Sequence, residues 1–327
     1  MSEFNVRVIK IGPTEKHPNA DTLSITYVDG DKSLGYPVIF RTGDFVEGQL
    51  AVYVPIDSIV PDLPEWSFLG GHRRIKARKL RGVFSMGLLT ASKPEWTESQ
   101  NVQQELGIEK WEPETSNLNI LNTENEVDPG FLPVYTDIEG LRKHKTVLVS
   151  GEEVIVTEKL HGANSRVLFK NNQLWVGSHK NIKRFDERNL WWKLAAEYGL
   201  QEKLATIPDI ALYGEAYGQV QDLKYGITAG VKLAIFDAMN VETRRYFDYD
   251  DFKALATKLG LPTVPELYRG PWTQDLLSLA EGKTTIPNAD HVREGFVVRP
   301  ITERWDHKCG RVILKMIGEG YLLRKTA

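Results

Sequence analysis

Up to about Leu89 the chain is a succession of short apolar runs broken by polar turns. Val6–Ile11, Leu23–Val28, Tyr36–Phe40, Leu50–Val54 and Phe84–Leu89 are rich in β-branched and aromatic residues, with Gly, Pro and Asp between them. Runs of that length and spacing predict five short strands and a small β-barrel. From about Ala91 to Gly130 the apolar runs fade and Glu, Asn and Thr dominate, which predicts a polar linker wrapping the surface. After Phe131 strands and helices alternate. Glu153–Thr157 reads as a strand leading into Lys159, and Arg166–Phe169 with Leu174–Gly177 reads as a hairpin turning at Asn171-Asn172. Asn189–Tyr198 has a helical pattern, as does Asp250–Leu259, which Gly260 and Pro262 stop. The expected organisation is residues 1–90 as a barrel, 91–130 as linker and 131–327 as an α+β domain.

Composition narrows the class without naming it. A chain of 327 residues with 41% apolar and 26% charged residues is ordinary for globular protein and excludes collagen-like, disordered and membrane classes. Cys309 is the only cysteine, so no intrachain disulfide can form. No apolar run is long enough to span a bilayer and no secretory signal pattern opens the chain, so a cytoplasmic protein is the expectation, and a monomer is expected alongside it. A net charge of −3 does not advertise nucleic-acid binding, and any such surface must be a local patch.

Candidate chemistry lies in an ordered series. Thr157-Glu158-Lys159-Leu160-His161-Gly162 is followed by Tyr213-Gly214-Glu215, Ala234-Ile235-Phe236-Asp237, Glu294-Gly295-Phe296-Val297-Val298-Arg299 and Ile313-Leu314-Lys315-Met316. A lysine three residues before a glycine means little alone, since Lys32, Lys79 and Lys315 fit as well. Lys159 differs because two acidic motifs and a further lysine follow it, each on a run that reads as a strand. The series resembles the lysine nucleotidyltransferases, a superfamily of DNA ligases, RNA ligases and mRNA capping enzymes. Within it the chain is most similar to ATP-dependent RNA ligases with an N-terminal OB domain. DNA ligases and capping enzymes usually have aspartate two residues after the lysine, and His161 is the variant familiar from RNA ligases. The runs Glu105–Pro113, Arg78–Gly82 and Ser85–Leu89 carry the likeness into the first half, and His17–Leu23 resembles the first loop of OB-type tRNA-binding modules.

The resemblance implies an OB-like barrel followed by an α+β, ATP-grasp-like nucleotidyltransferase domain. It implies Lys159 as the nucleophile that accepts AMP from ATP, with Glu215 and Glu294 holding Mg2+ or Mn2+. Glu158 would receive the adenine amino group, Phe236 would stack on the base, and Gly162 would let the backbone pass close to the nucleotide. His161, Asn164, Arg299 and Lys315 complete the implied ATP site, with Lys180 the basic residue after the hairpin, where Lys183 and Arg184 are alternatives. An amine attacks phosphorus only when neutral, so the lysine needs a depressed pKa, for which Lys315 and a metal are candidate causes. Two departures stand out: His161 replaces the common aspartate, and Ile317 replaces a frequent second lysine, with Arg311, Arg324 or Lys325 as possible substitutes.

Arg73, Arg74, Lys76, Arg78, Lys79 and Arg81 form a basic run without an acidic residue. Along an extended barrel strand they would track a phosphate backbone, while the structural alternative is a charged edge that resists aggregation. Tyr53, Trp66 and Phe68 could stack on bases, though at least two suit the core. The expected activity is joining of RNA 3′-hydroxyl and 5′-phosphate ends through lysyl-AMP and RNA-adenylate intermediates, in RNA repair. The rivals are a DNA ligase, a GTP-using capping enzyme and a non-catalytic RNA-binding protein.

Overall fold

The computed structural model describes residues 4–111 and 124–324. The described residues divide into two compact units: 4–111 with 140–145 and 322–324, and 124–139 with 146–321.

The first unit is built from strands β1 (Arg7–Lys10), β2 (Glu15–Lys16), β3 (Leu23–Val28), β4 (Tyr36–Arg41), β5 (Leu50–Val54), β6 (Ser58–Ile59), β7 (Arg78–Leu80), β8 (Val83–Ser85), β9 (Leu88–Ala91) and β10 (Glu109–Lys110). They pair as β1-β5-β9, β2-β3-β4, β7-β8 and β6-β10, all antiparallel. These sheets do not close into the single barrel that the strand spacing predicts. The predicted strand Phe84–Leu89 breaks at Gly87, which takes φ +94° and whose Cβ, if present, would lie 2.6 Å from the Val54 carbonyl oxygen. A chain in that conformation leaves the β7 ladder after β8 and joins β5 as β9.

The expected linker is corrected in its first half. Trp96, Val102 and Ile108 are buried with Val6, Val8, Val52 and Trp66, so the chain as far as Trp111 supplies core to the first unit. Its polar composition hid three apolar residues spaced widely enough to pack from an irregular backbone. Residues 124–130 belong to the second unit, and Glu112 and Pro113, which end the run from Glu105, lie outside the described residues.

The second unit holds β11 (Glu139–Gly140, at the switch between units), β12 (Glu153–Lys159), β13 (Ala163–Lys170), β14 (Gln173–Gly177), β15 (Ile210–Gly218), β16 (Val231–Asn240), β17 (Arg245–Tyr246), β18 (Glu266–Pro271), β19 (Gly295–Pro300), β20 (Trp305–Asp306), β21 (Gly310–Arg311) and β22 (Leu314–Ile317). One antiparallel sheet runs β22-β19-β12-β18 and a second runs β14-β13-β15-β16-β17. The predicted hairpin forms as read: Asn171 and Asn172 take φ +53° and +58°, the paired left-handed residues that a tight turn of matching twist requires. Helix Leu190–Glu197 starts where Asn189 caps the backbone N–H groups of Trp191 and Trp192. Leu190, Trp191 and Leu194 of that helix bury against Val167, Val176, Leu212 and Leu233 of the second sheet, with helices Leu200–Ala205 and Tyr249–Lys258 adding Leu204 and Phe252. The opposite face of that sheet packs Leu168, Ala211, Tyr213 and Met239 and, by strand alternation, carries Asn164 and Glu215.

Candidate active site

Lys159 ends β12, opposite Gly295 at the start of β19. That register delivers Glu294 to the lysine: Nζ donates to its Oε1 at 2.8 Å. Gly295 has to be glycine, because a Cβ there would sit 2.0 Å from the Met316 carbonyl oxygen of β22. The close approach places β22 beside the lysine, and Lys315 pairs with Val297, two residues along β19 from Gly295. After Lys159 the chain turns through Leu160-His161-Gly162 into β13. Gly162 is likewise obligatory, since a Cβ would lie 2.1 Å from the Ala216 carbonyl oxygen and 3.1 Å from Glu215 Cγ. β13 then runs alongside β15, setting Asn164 opposite Glu215. Asn164 is backed by the helix, whose Trp191 indole N–H donates to its carbonyl.

The electrostatics centre on one lysine between two carboxylates. Burial pushes the Glu215 carboxyl up to about 8, Lys159 pulling it down and Glu294 adding to the rise. Burial would depress the Lys159 amine, but Glu294 and Glu215 outweigh it and the net direction is upward. The expected depression falls on Lys315 instead, through burial and then the charge of Lys159. Lys159 is thus held charged by its partners, opposite to the state in which it attacks phosphorus. Glu294 Oε2 and Asn164 Oδ1 are buried without a hydrogen-bond partner, two acceptors open beside the lysine.

Other predicted residues fall elsewhere. Glu158 is buried and, by strand alternation, leaves the face of β12 opposite Lys159. Its Oε2 accepts from the Thr285 backbone N–H at 2.8 Å and hydroxyl at 2.6 Å, while Oε1 lacks a partner. Phe236 is the extra residue of a β-bulge, where Tyr213 faces Asp237 and Gly214 faces Ile235. It remains partly exposed and meets Tyr135 edge to face at 5.0 Å. Arg299 is not brought to the lysine. It lies four residues beyond Gly295, about 13 Å along a strand, with its guanidinium 2.9 Å from Asp237. Asp237 also binds Arg311 at 2.7 Å and the Tyr135 hydroxyl at 2.7 Å. Burial would raise its carboxyl, but Arg299 and Arg311 hold it below the ordinary range. Arg311 is therefore spent in this buried network and does not replace the lysine missing at Ile317. Arg324 belongs to the first unit and Lys325 lies outside the described residues. After the hairpin, Lys183 donates to Asn125 and Arg184 pairs with Glu124, whereas Lys180 stays exposed.

His161 is fixed from several sides. Its Nε2 lies 2.7 Å from Asp222 Oδ1, its Nδ1 2.9 Å from the Tyr321 hydroxyl, and its backbone N–H donates to the Tyr225 hydroxyl at 2.7 Å. Asp222, Tyr225, Tyr321 and Thr285 belong to no short motif. Only the folded chain brings them to the site.

In the first unit, the basic run is corrected in part. It is not one extended strand: only Arg78–Leu80 enters β7, and Arg81 takes φ +49° in the turn to β8. Arg73 donates to the Val60 carbonyl. Arg74 binds Asp57 at 2.8 Å and stacks over Trp111, 3.1 Å from the ring centroid. Lys76, Arg78, Lys79 and Arg81 remain exposed. The His17–Asn19 turn holds this hairpin, with His17 Nε2 3.0 Å from the Leu80 carbonyl oxygen and the Asn19 amide donating to that of Arg81. Tyr53 and Trp66 are core, and Phe68 is exposed.

A family model for RNA ligase matches residues 152–317, half of the chain. The chain belongs to the RNA ligase family. An OB-fold domain model matches residues 5–92. No curated protein sequence matched. Among solved structures, a mutant of Naegleria gruberi RNA ligase with ATP and Mn is 23% identical with a TM-score of 0.82, over 97% of this chain and 98% of that chain. The same ligase with PPi matches at 23% identity and a TM-score of 0.81, over 98% of each chain. A further mutant of it, with AMP and Mn, matches at 23% and 0.82 over 98% of each. At such identity the likeness speaks for the fold, an OB-fold unit followed by a mixed α+β RNA ligase unit. The RNA ligase match spans Lys159, Glu215, Glu294 and Lys315 together.

Proposed function

We propose that this RNA ligase uses ATP to join RNA 3′-hydroxyl and 5′-phosphate ends, with Lys159 as the nucleophile, and serves RNA repair. The observation that carries this reading is the amine of Lys159 fixed between two buried carboxylates at the meeting of two sheets, with Lys315 beside it. In the proposed reaction Lys159 first leaves Glu294, the partner that keeps it charged, and Lys315 disfavours its return to the charged form. The freed amine forms an N–P bond to the α-phosphorus of ATP as the bond to the pyrophosphate oxygen breaks. An RNA 5′-phosphate oxygen then displaces the lysine and takes the AMP. A 3′-hydroxyl attacks that activated phosphate and AMP departs, so each step is an in-line displacement at phosphorus.

Among the described residues no group of three or more His, Cys, Asp or Glu is disposed as a complete metal site. Glu215 and Glu294 nevertheless fit a divalent cation shared with nucleotide oxygens and water: they repel one another, and Glu294 Oε2 is buried without a donor. Mg2+ or Mn2+ there supplies charge neutralisation at the α-phosphate. Naegleria RNA ligase was captured with ATP and Mn, which supports the choice of nucleotide and metal. Asn164 offers its open amide oxygen to the nucleotide, and Phe236 offers a ring face to the base. The exposed cations of the β7–β8 hairpin suit the RNA backbone. Incubation with α-labelled ATP and Mg2+ tests the reading: label should attach covalently to the protein at Lys159, and GTP should not substitute. Label from GTP alone would indicate capping chemistry.

A further inference from the structure

The turn that carries the nucleophile into β13 is gripped by the β15–β16 connection. Three of its side chains reach that turn. Gln221 donates its amide to the Gly162 carbonyl at 3.4 Å, Tyr225 accepts from the His161 N–H at 2.7 Å, and Asp222 lies 2.7 Å from His161 Nε2. The loop is itself locked. Tyr225 is buried and takes φ +53°, and Gly226 passes so close to Asn288 that a Cβ would lie 2.2 Å from its carbonyl oxygen. A residue held in the left-handed region persists only where its surroundings over-determine it. Here they do.

Two of these contacts are to backbone and would serve almost any side chain at position 161. The Asp222 contact is to the imidazole itself. A carboxylate only accepts, so Nε2–H donates to Asp222, and the Tyr321 hydroxyl engages Nδ1 at 2.9 Å on the other edge of the ring. Held at both nitrogens, the imidazole cannot rotate, and its Nδ1 edge faces Glu294, whose Oε2 is 3.9 Å away and whose Oε1 binds Lys159. We infer that Asp222 is a positioning residue for adenylation: it clamps the His161 imidazole as a packed wall 3.9 Å from the Glu294 carboxylate against which Lys159 is set, with no hydrogen bond between ring and carboxylate. The inference rests on the proposed role of Lys159.

The clamp makes positions 161 and 222 interdependent. A carboxylate at 161 would face Asp222 on one side and Glu294 on the other, both repulsive. The test measures the rate of lysyl-AMP formation and KM for ATP in purified full-length variants whose melting shows them folded. Asp222→Ala should slow adenylation roughly tenfold with little change in KM. Asp222→Asn, which still accepts from Nε2, should recover most of that loss. His161→Asp should lose more than Asp222→Ala, and adding Asp222→Asn to it should restore activity, a strongly non-additive cycle. If Asp222→Ala adenylates at the wild-type rate, or if Asp222→Asn gives no relief in either background, the assignment is wrong. Wild-type protein that takes no label overturns the ligase reading and this assignment with it. Label in wild type with equal rates in all variants overturns the assignment alone.

Discussion

Two basic sites, one in each unit, make opposite use of positive charge. At the end of β12 a single lysine is enclosed by two carboxylates and a second lysine, and every charge is set against another. In the run from Arg73 to Arg81 there are six cations, yet Arg73 is tied to the Val60 carbonyl and Arg74 to Asp57 and Trp111, and those from Lys76 onward are exposed. Counting cations favours the second site, whereas counting their partners favours the first. Chemistry needs a charge whose state can be switched by neighbours in a low-dielectric setting, and backbone tracking needs charges left unpaired in water. The number of basic residues in a segment therefore says less about its role than the fate of each one.

The sharpest break in that comparison is Lys159→Ala. Removing the amine removes the N–P bond, so covalent labelling by α-labelled ATP should vanish, while Lys315→Ala slows labelling without moving it. The variant must stay folded, which a thermal melt checks. Peptide mapping that places AMP on another residue would end the assignment of Lys159.

Why one site was legible and the other only half so follows from what fixes each. The order of Lys159, Glu215, Glu294 and Lys315 could be read because each lies on or beside a run that reads as a strand, and the glycines at 162 and 295 mark where backbones must touch. The same holds for the Asn171-Asn172 hairpin, which is local chemistry. Arg299 misled because a position just after an acidic motif says nothing about which face or depth its side chain takes. Its partner Asp237 lies on a strand of the other sheet. The buried Trp96, Val102 and Ile108 were missed because irregular backbone leaves no period to detect. Asp222 and Tyr321 meet His161 only through long-range folding, which no spacing encodes.

A smaller effect should separate the two halves of the basic run. Lys76, Arg78 and Lys79 changed together to alanine should weaken binding of 5′-phosphorylated RNA. They should also flatten its dependence on salt, since about one condensed counterion is released for each phosphate that a side-chain cation neutralises. The melting temperature of this triple variant should match the wild type. Arg74→Ala should do the reverse: it strips the Asp57 pair and the stack over Trp111, of which a cation–π pair alone is worth about 0.5–2 kcal/mol, and so lowers the melting temperature while the salt slope changes little. An equal loss of RNA affinity in both proteins would mean that the division of the run into structural and exposed cations is wrong.

The smallest effect concerns Glu215, and it probes whether the lysine site is as electrostatically tense as its geometry implies. Burial raises its carboxyl from the ordinary 4.5 to about 8 despite the neighbouring Lys159. Between those values the folded protein keeps a proton that the unfolded chain has lost, so the folded state binds more protons and stability falls as pH rises through the window. The stabilising contribution is complete below pH 4.5 and gone above about 8. Glu215→Gln mimics the protonated carboxyl at every pH and removes that slope. The variant should therefore melt with the wild type at pH 5 and above it at pH 8.5, even though it loses adenylation activity with its carboxylate. Thermal melts at the two pH values decide it: a difference that is absent at pH 8.5, or equal at both, would show that Glu215 ionises as an ordinary exposed carboxylate and that the site holds Lys159 with Glu294 alone.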